Sequence, residues 1–268
     1  MLAFRHSLIC ALILVSCGAT PATPPIAPGP IASAAVAQPA TTGSGPAQNV
    51  VAAADRSDTD RALDAGRKPA ELLHFSRVGP GMRVLDLAAG GGYTTELLAR
   101  SVGEAGVVYG ENPKFLLGFA EQLWSERLAK PAMLHVVRVD AELDGTWPPE
   151  VKDLDLVTLV LFYHDTVWLE TDRARMNANV YAALKPGGSF VVVDHSSRPG
   201  DGVSVAKTLH RIEETAVKAE IGKAGFVLDA EADFLREPGD ARDWSASPKA
   251  AGERRGHSDR FVLRFKKP

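Results

Sequence analysis

Residues 83–100 read RVLDLAAGGGYTTELLAR, and this stretch decides the fold. Val84, Leu85 and Leu87 form a short apolar run with the character of a buried strand. The chain then passes through Ala88, Ala89, Gly90, Gly91 and Gly92 and turns helical from Tyr93, with Leu97 and Leu98 on one face. A strand, a glycine turn and a helix in that order make a ligand site in an α/β sheet. The glycines admit close approach of the backbone, and the helix start offers unpaired N–H groups.

Spacing around the turn narrows the ligand. The pattern is Asp86-x-Ala88-x-Gly90-x-Gly92, and Glu111 ends the next apolar run. An acid about 20 residues past the glycines suits the two hydroxyls of a ribose. The dinucleotide spacing G-x-G-x-x-G is not met, which disfavours a dehydrogenase. On these residues the chain resembles a class I S-adenosylmethionine-dependent methyltransferase, whose cofactor has a cationic end suited to a carboxylate such as Asp86. Ala88 stands where that family has its first glycine. The resemblance implies an α/β, Rossmann-like fold: a seven-stranded, mostly parallel sheet with an antiparallel last strand and helices on both faces. It also implies S-adenosyl-L-methionine contacts from Asp86, Ala88, Gly90, Gly92, Tyr93 and Glu111. Asp140 would take the adenine amino group, with Ala141 and Phe162 beside the cofactor.

The rest of the domain, residues 55–268, follows the same plan. Pro69 opens a helix carrying Leu72, Leu73 and Phe75. Upstream, Asp55 to Lys68 is densely charged, either as a solvated helix face or with Arg67 and Lys68 placed over a ligand carboxylate. Strands are expected over 107–111, 133–139, 154–162, 189–193, 226–235 and 259–265, and helices over 113–128, 167–184 and 203–224. Residues 237–256, rich in Gly, Pro and charge, read as a long mobile loop. The Leu184-Lys185-Pro186-Gly187-Gly188 turn is a further feature of class I methyltransferases. Tyr163-His164-Asp165, Asp194-His195, His210-Arg211-Ile212 and Asp259-Arg260-Phe261 narrow the likeness to a bacterial group of predicted methyltransferases, some with secretion signals.

Methyl transfer is an in-line displacement that needs alignment and often a base. Three histidines fall at expected crevice edges, His164, His195 and His210, and the imidazole pKa suits the base role. His164 or His195 is the expected base, oriented by Asp165 or Asp194. Tyr163, Asp194, His210 and Arg211 are expected to position the acceptor, and Arg211 suits a carboxylate or phosphate. The same residues permit a divalent ion. Neighbours on a strand end point apart, however, so at most one of each pair would ligate it, and no metal is assigned.

The N-terminus differs in kind. After Arg5 comes an apolar stretch, residues 8–15, too short to span a bilayer. It ends Leu14-Val15-Ser16-Cys17, which resembles the lipobox of bacterial lipoproteins. That resemblance implies a signal peptide over 1–16, lipid on Cys17 and a periplasm-facing domain, with the outer membrane favoured because Gly18 follows. An ordinary secretory signal with a chance cysteine is the other reading. Residues 17–54, Ala-, Pro- and Thr-rich, read as a disordered tether. The chain has two cysteines, Cys10 and Cys17, so the mature domain would hold no disulfide or thiolate. A net charge of -3 argues against nucleic acid and leaves the lipid as the membrane contact. A small-molecule acceptor is therefore expected.

Export conflicts with a cofactor made in the cytosol. Either the cofactor reaches the envelope, or translation starts near Val50, or the exported fold binds another small ligand without catalysis. Asp86, Glu111 and Asp140 are all present, which favours the enzyme.

Overall fold

The computed structural model describes the backbone of residues 35–36 and all of residues 45–268. Cys17 and the apolar leader lie outside the described residues. In chain order the elements are β1 (Ala35–Val36), α1 (Pro46–Val51), α2 (Asp58–Arg67), α3 (Pro69–Ser76), β2 (Arg83–Leu87), α4 (Tyr93–Val102), β3 (Val107–Asn112) and α5 (Lys114–Leu128). They continue with β4 (Val136–Asp140), β5 (Leu154–Val160), α6 (Asp165–Trp168), α7 (Arg173–Ala183), β6 (Leu184–His195), α8 (Ala206–Leu209), α9 (Glu214–Lys223), β7 (Val227–Ala232) and β8 (Arg260–Lys266).

The sheet order is β1-β7-β8-β6-β5-β2-β3-β4, parallel except for β8. Without the two-residue β1, this is the expected seven-stranded sheet with an antiparallel last strand. Both faces are covered, which is why the central strands are apolar throughout rather than alternating. Leu85, Leu87, Val157, Leu159 and Val192 pack toward Met176 and Val180 of α7 and Ile221 of α9. Their neighbours Val84, Val108, Leu156, Val191 and Val193 pack toward Leu72 and Phe75 of α3, Leu97 and Leu98 of α4, and Trp124 of α5. Each fully buried side chain of this kind contributes about 1.5–3 kcal/mol. Register aligns Asp86 with Gly110 and with Thr158, so the polar ends of β2, β3 and β5 meet at one edge.

Several elements differ from their expected form. Residues 46–51, inside the expected tether, form α1, which packs against the core through Ala47, Val50 and Val51. The helix expected over 167–184 is broken: Glu170 adopts a φ of 58°, and Asp172 caps a new helix by accepting from the Arg175 N–H at 3.0 Å. The helix over 203–224 breaks at His210, whose φ is 49°. The third strand starts three residues late because Pro131 opens a 3-10 turn over Pro131–Met133. The Lys185–Gly188 turn residues belong to β6 instead of preceding it. The segment 237–256 is pinned to the domain by Asp240, whose carboxylate takes Arg211, Trp244 Nε1 at 2.8 Å and the Asp259 N–H at 2.7 Å. Among the described residues, no helix is long and apolar enough to cross a membrane.

Candidate functional site

The turn after β2 is held from below. Ala88 donates its N–H to Glu111 Oε2 at 3.0 Å, and Ala89 donates to the Glu111 carbonyl at 2.8 Å. Asn112 clasps Gly90, accepting its N–H at 2.7 Å and donating to its carbonyl at 3.1 Å. Ala88 sits at a φ of 52°, a left-handed conformation that costs about 1 kcal/mol or more in a residue other than glycine. The glycines divide the work. A Cβ on Gly90 would meet nothing within 4 Å, whereas one on Gly92 would lie 2.6 Å from the Trp124 ring. Gly90 therefore leaves room for a ligand, and Gly92 leaves room for α5. Asp86 accepts from the hydroxyls of Thr95 and Thr158, each at 2.7 Å; burial outweighs these bonds and pushes its carboxyl up to about 6.

Above this turn opens a cleft of about 1090 Å³ along the C-terminal ends of the parallel strands. Asp86, Ala88, Gly90, Tyr93, Phe162, His164, Asp165, His195 and His210 all line it, so most of the expected site is brought together. α2 forms one wall and α5 another, with Phe115, Phe119 and Leu123 facing the space. Charge near the turn is mostly neutralised within the protein. Arg127 pairs with Asp60 at 2.7 Å and also with Glu96, while Arg56 pairs with Asp64 at 2.7 Å. Lys68 turns away and donates to the Phe234 carbonyl at 2.6 Å. Arg67 is different: its guanidinium lies 4.4 Å from the centroid of the Tyr93 ring and lines the cleft. Among the described residues it has no hydrogen-bond or carboxylate partner, and burial holds its pKa below the usual arginine value.

The opposite end of the cleft holds the histidines. Asp194, fully buried, accepts the His164 N–H and the His195 N–H, each at 2.7 Å, and its Oδ1 lies 2.7 Å from His164 Nδ1. His164 Nε2 is 3.2 Å from Asp165 Oδ1 and 3.2 Å from His210 Nδ1, and His210 Nδ1 is 3.2 Å from the same Asp165 oxygen. Trp168 Nε1 donates to that oxygen at 2.9 Å. Burial disfavours charge on His164, but Asp194 and Asp165 outweigh it and raise its pKa to about 10. His195 stands apart with Nδ1 2.7 Å from Ser258 Oγ; burial first, then the charge of His164, holds it well below the usual histidine range.

The adjacent pair His164–Asp165 does converge, contrary to the strand-end expectation. β5 ends at Val160, and His164 already has helical φ and ψ of -61° and -33° as α6 begins. On a tightening turn, consecutive side chains can reach one point. Asp194 and His195, which are on a strand end, do diverge: one reaches His164 and the other Ser258.

Other expected residues lie elsewhere. Tyr163 is buried away from the cleft, with its hydroxyl donating to Glu220 at 2.9 Å and accepting from Asn177 at 2.9 Å. Arg211 is buried in the ion pair with Asp240 at 2.7 Å. Asp140 is exposed, paired with Arg138 at 2.8 Å, and neither it nor Ala141 lines the cleft. Glu111 is sealed beneath the turn; burial raises its pKa well above the usual range, and its Oε1 has no partner among the described residues. Sequence reading missed Asn112, Ser258, Trp168 and Arg127. Asn112 alone had a local signal, since it follows Glu111 at a strand tip.

No family model matches the chain. Solved structures do resemble it. One is a SAM-dependent methyltransferase from Aquifex aeolicus, with a TM-score of 0.56 and 15% identity over 82% of this chain and 97% of that one. Another, an S-adenosylmethionine-dependent methyltransferase from Mesorhizobium loti, gives 0.51 and 21% identity over 75% and 98%. The glycopeptide N-methyltransferase MtfA, solved with sinefungin, gives 0.53 and 17% identity over 76% and 87%. At such identities the likeness is one of fold. The chain has the Rossmann-like fold of class I methyltransferases, with the same seven-strand order.

Proposed function

We propose that this chain is an S-adenosylmethionine-dependent methyltransferase that binds a small-molecule acceptor at the histidine end of its cleft. The observation that carries the reading is Arg67, a cation without a partner among the described residues, facing the cleft beside the Asp86 turn. A half-buried guanidinium in that state favours an anion beside it, and a ligand carboxylate supplies it. The remaining residues fit the cofactor as well. Gly90 leaves space above the turn, and Phe115 and Phe119 offer an apolar wall to an adenine ring. When bound, the cofactor supplies an electrophilic methyl group on a sulfonium.

The chain's own residues would do the rest. Asp86 places a carboxylate near the cationic end of the ligand. In the tautomer whose Nδ1–H donates to Ser258, His195 keeps its Nε2 lone pair free. His195 is neutral at pH 7 because burial and the nearby His164 charge oppose its protonation. It can therefore take the acceptor's proton as the methyl group is transferred. Leu14–Cys17 supports an envelope location with lipid on Cys17, and the Tyr163–Asp165 and Asp194–His195 signatures support kinship with exported bacterial methyltransferases.

The test is calorimetric titration of the full chain with S-adenosylmethionine and S-adenosylhomocysteine. Binding is expected, weakened about 10-fold or more in Arg67→Ala and unchanged in Lys68→Ala. Absence of binding by correctly folded wild-type protein would overturn the reading.

A further inference from the structure

Three donor atoms at the histidine end form a nearly equilateral triangle: His164 Nε2, His210 Nδ1 and Asp165 Oδ1, with every edge 3.2 Å. An ion bonded to three such atoms at about 2.1 Å sets their separations between roughly 3.0 Å at right angles and 3.4 Å at tetrahedral angles. The observed edges fall inside that window. The geometry points to a divalent transition-metal site, facial and open on the cleft side, built from His164, Asp165 and His210.

Four further observations agree. All three residues line the cleft, so the remaining coordination positions face the space where an acceptor would lie. His164 has its other ring nitrogen on Asp194 at 2.7 Å, the carboxylate partner that fixes the tautomer of a metal-binding imidazole. Asp165 is oriented by Trp168 Nε1. His210 closes α8 at a φ of 49°, a left-handed conformation uncommon outside glycine. Charge also fits. Two carboxylates, Asp165 and Asp194, flank two imidazoles, so a 2+ ion would neutralise the cluster. Two nitrogens and one oxygen suit zinc, iron(II), cobalt(II) or manganese(II) rather than calcium, which prefers oxygen alone.

The metal site stands on geometry alone; only its role rests on the methyl-transfer reading. In that role the open positions would bind the acceptor's oxygen and lower its pKa, with His195 5.7 Å from His164, ring centroid to ring centroid. This identifies the acceptor class as one with an oxygen able to coordinate a metal.

The experiment is cobalt(II) titration of the full chain after chelator treatment, followed by d–d absorption and by elemental analysis after gel filtration. One cobalt per chain with a four- to six-coordinate N/O spectrum is expected. His164 is buried, and its removal endangers folding, so the informative variants are His210→Gly, which suits the local φ, and Asp165→Asn. Each should weaken cobalt binding by about 10-fold or more, and Asp194→Asn by about 10- to 100-fold. His74→Ala, on an exposed histidine of α3 that does not line the cleft, should leave binding unchanged. No stoichiometric cobalt on folded wild-type protein, or equal binding by His210→Gly, overturns the inference. Neither result bears on S-adenosylmethionine binding, which is read separately by calorimetry without added metal.

Discussion

At the glycine-turn end of the cleft, Arg127 is bound by Asp60 and Glu96, Arg56 is bound by Asp64, and Arg67 has no partner among the described residues. At the histidine end every side chain is engaged, and three donor atoms converge within 3.2 Å of one another. The first end presents a cation with no carboxylate partner among the described residues; the second gathers the carboxylates of Asp165 and Asp194 around His164. Both lie on one sheet edge, yet on the proposed reading one would receive a charged ligand group and the other would hold an ion between donors. On the proposed reading, recognition belongs to the turn end with Asp86 and chemistry to the histidine end with His195.

The sharpest way to break this comparison is to show that a residue outside both ends behaves as part of the site. Arg211 and Asp240 form a fully buried ion pair that ties residues 237–256 to the histidine end. Asp240→Ala leaves the guanidinium uncompensated and should cost about 3–5 kcal/mol in urea unfolding. A near-neutral effect would return Arg211 to the ligand-binding set.

The next effect concerns pH at the turn end. Burial raises the Asp86 carboxyl to about 6, so the folded chain holds this proton more tightly than the unfolded chain does. Its contribution is full below about pH 4 and is lost as pH rises through about 6, a change of about 3 kcal/mol. Asp86→Asn should remove that slope from the stability profile between pH 4 and 6. An unchanged slope would mean Asp86 is ionised in the folded protein.

Smaller still is the contrast between two glycines of one turn. Gly92→Ala forces a Cβ toward Trp124 at a φ of 80° and should destabilise by about 2–3 kcal/mol. Gly90→Ala meets no atom, carries only the cost of its φ of 57°, about 1 kcal/mol, and should instead weaken ligand binding. Thermal melts and calorimetry on the two variants separate packing from ligand access. Equal effects on both readouts would erase the division.

The turn end was legible because its signals are local. Strand, Asp86, the glycines and Glu111 lie within about 25 residues, and their roles follow from backbone geometry that spacing reports. Even there the roles divided unexpectedly, since Gly92 serves Trp124, 32 positions away, and Asp140 points to solvent beside Arg138. The histidine end was legible only as a collection. His164, His195 and His210 could be placed at crevice edges, but their partners depend on the packing of α6, β6, α8 and β8 against one another. Arg211 looked like a substrate residue because charge in a cleft-side motif resembles function; Asp240, 29 residues on, decides otherwise.

The sequence by itself determined the strand order's building blocks, the glycine turn and the apolar, two-faced sheet, because periodicity and glycine spacing act over a few residues. Tertiary structure alone decided which charges are neutralised. Asp60 and Asp64 pair with Arg127 and Arg56, and among the described residues Arg67 has no carboxylate partner. The three donor atoms meet because β5 ends four residues before His164 and His210 adopts a left-handed backbone. Pairing of charges is set by distances of a few ångströms between residues far apart in the chain, and no local pattern encodes those distances.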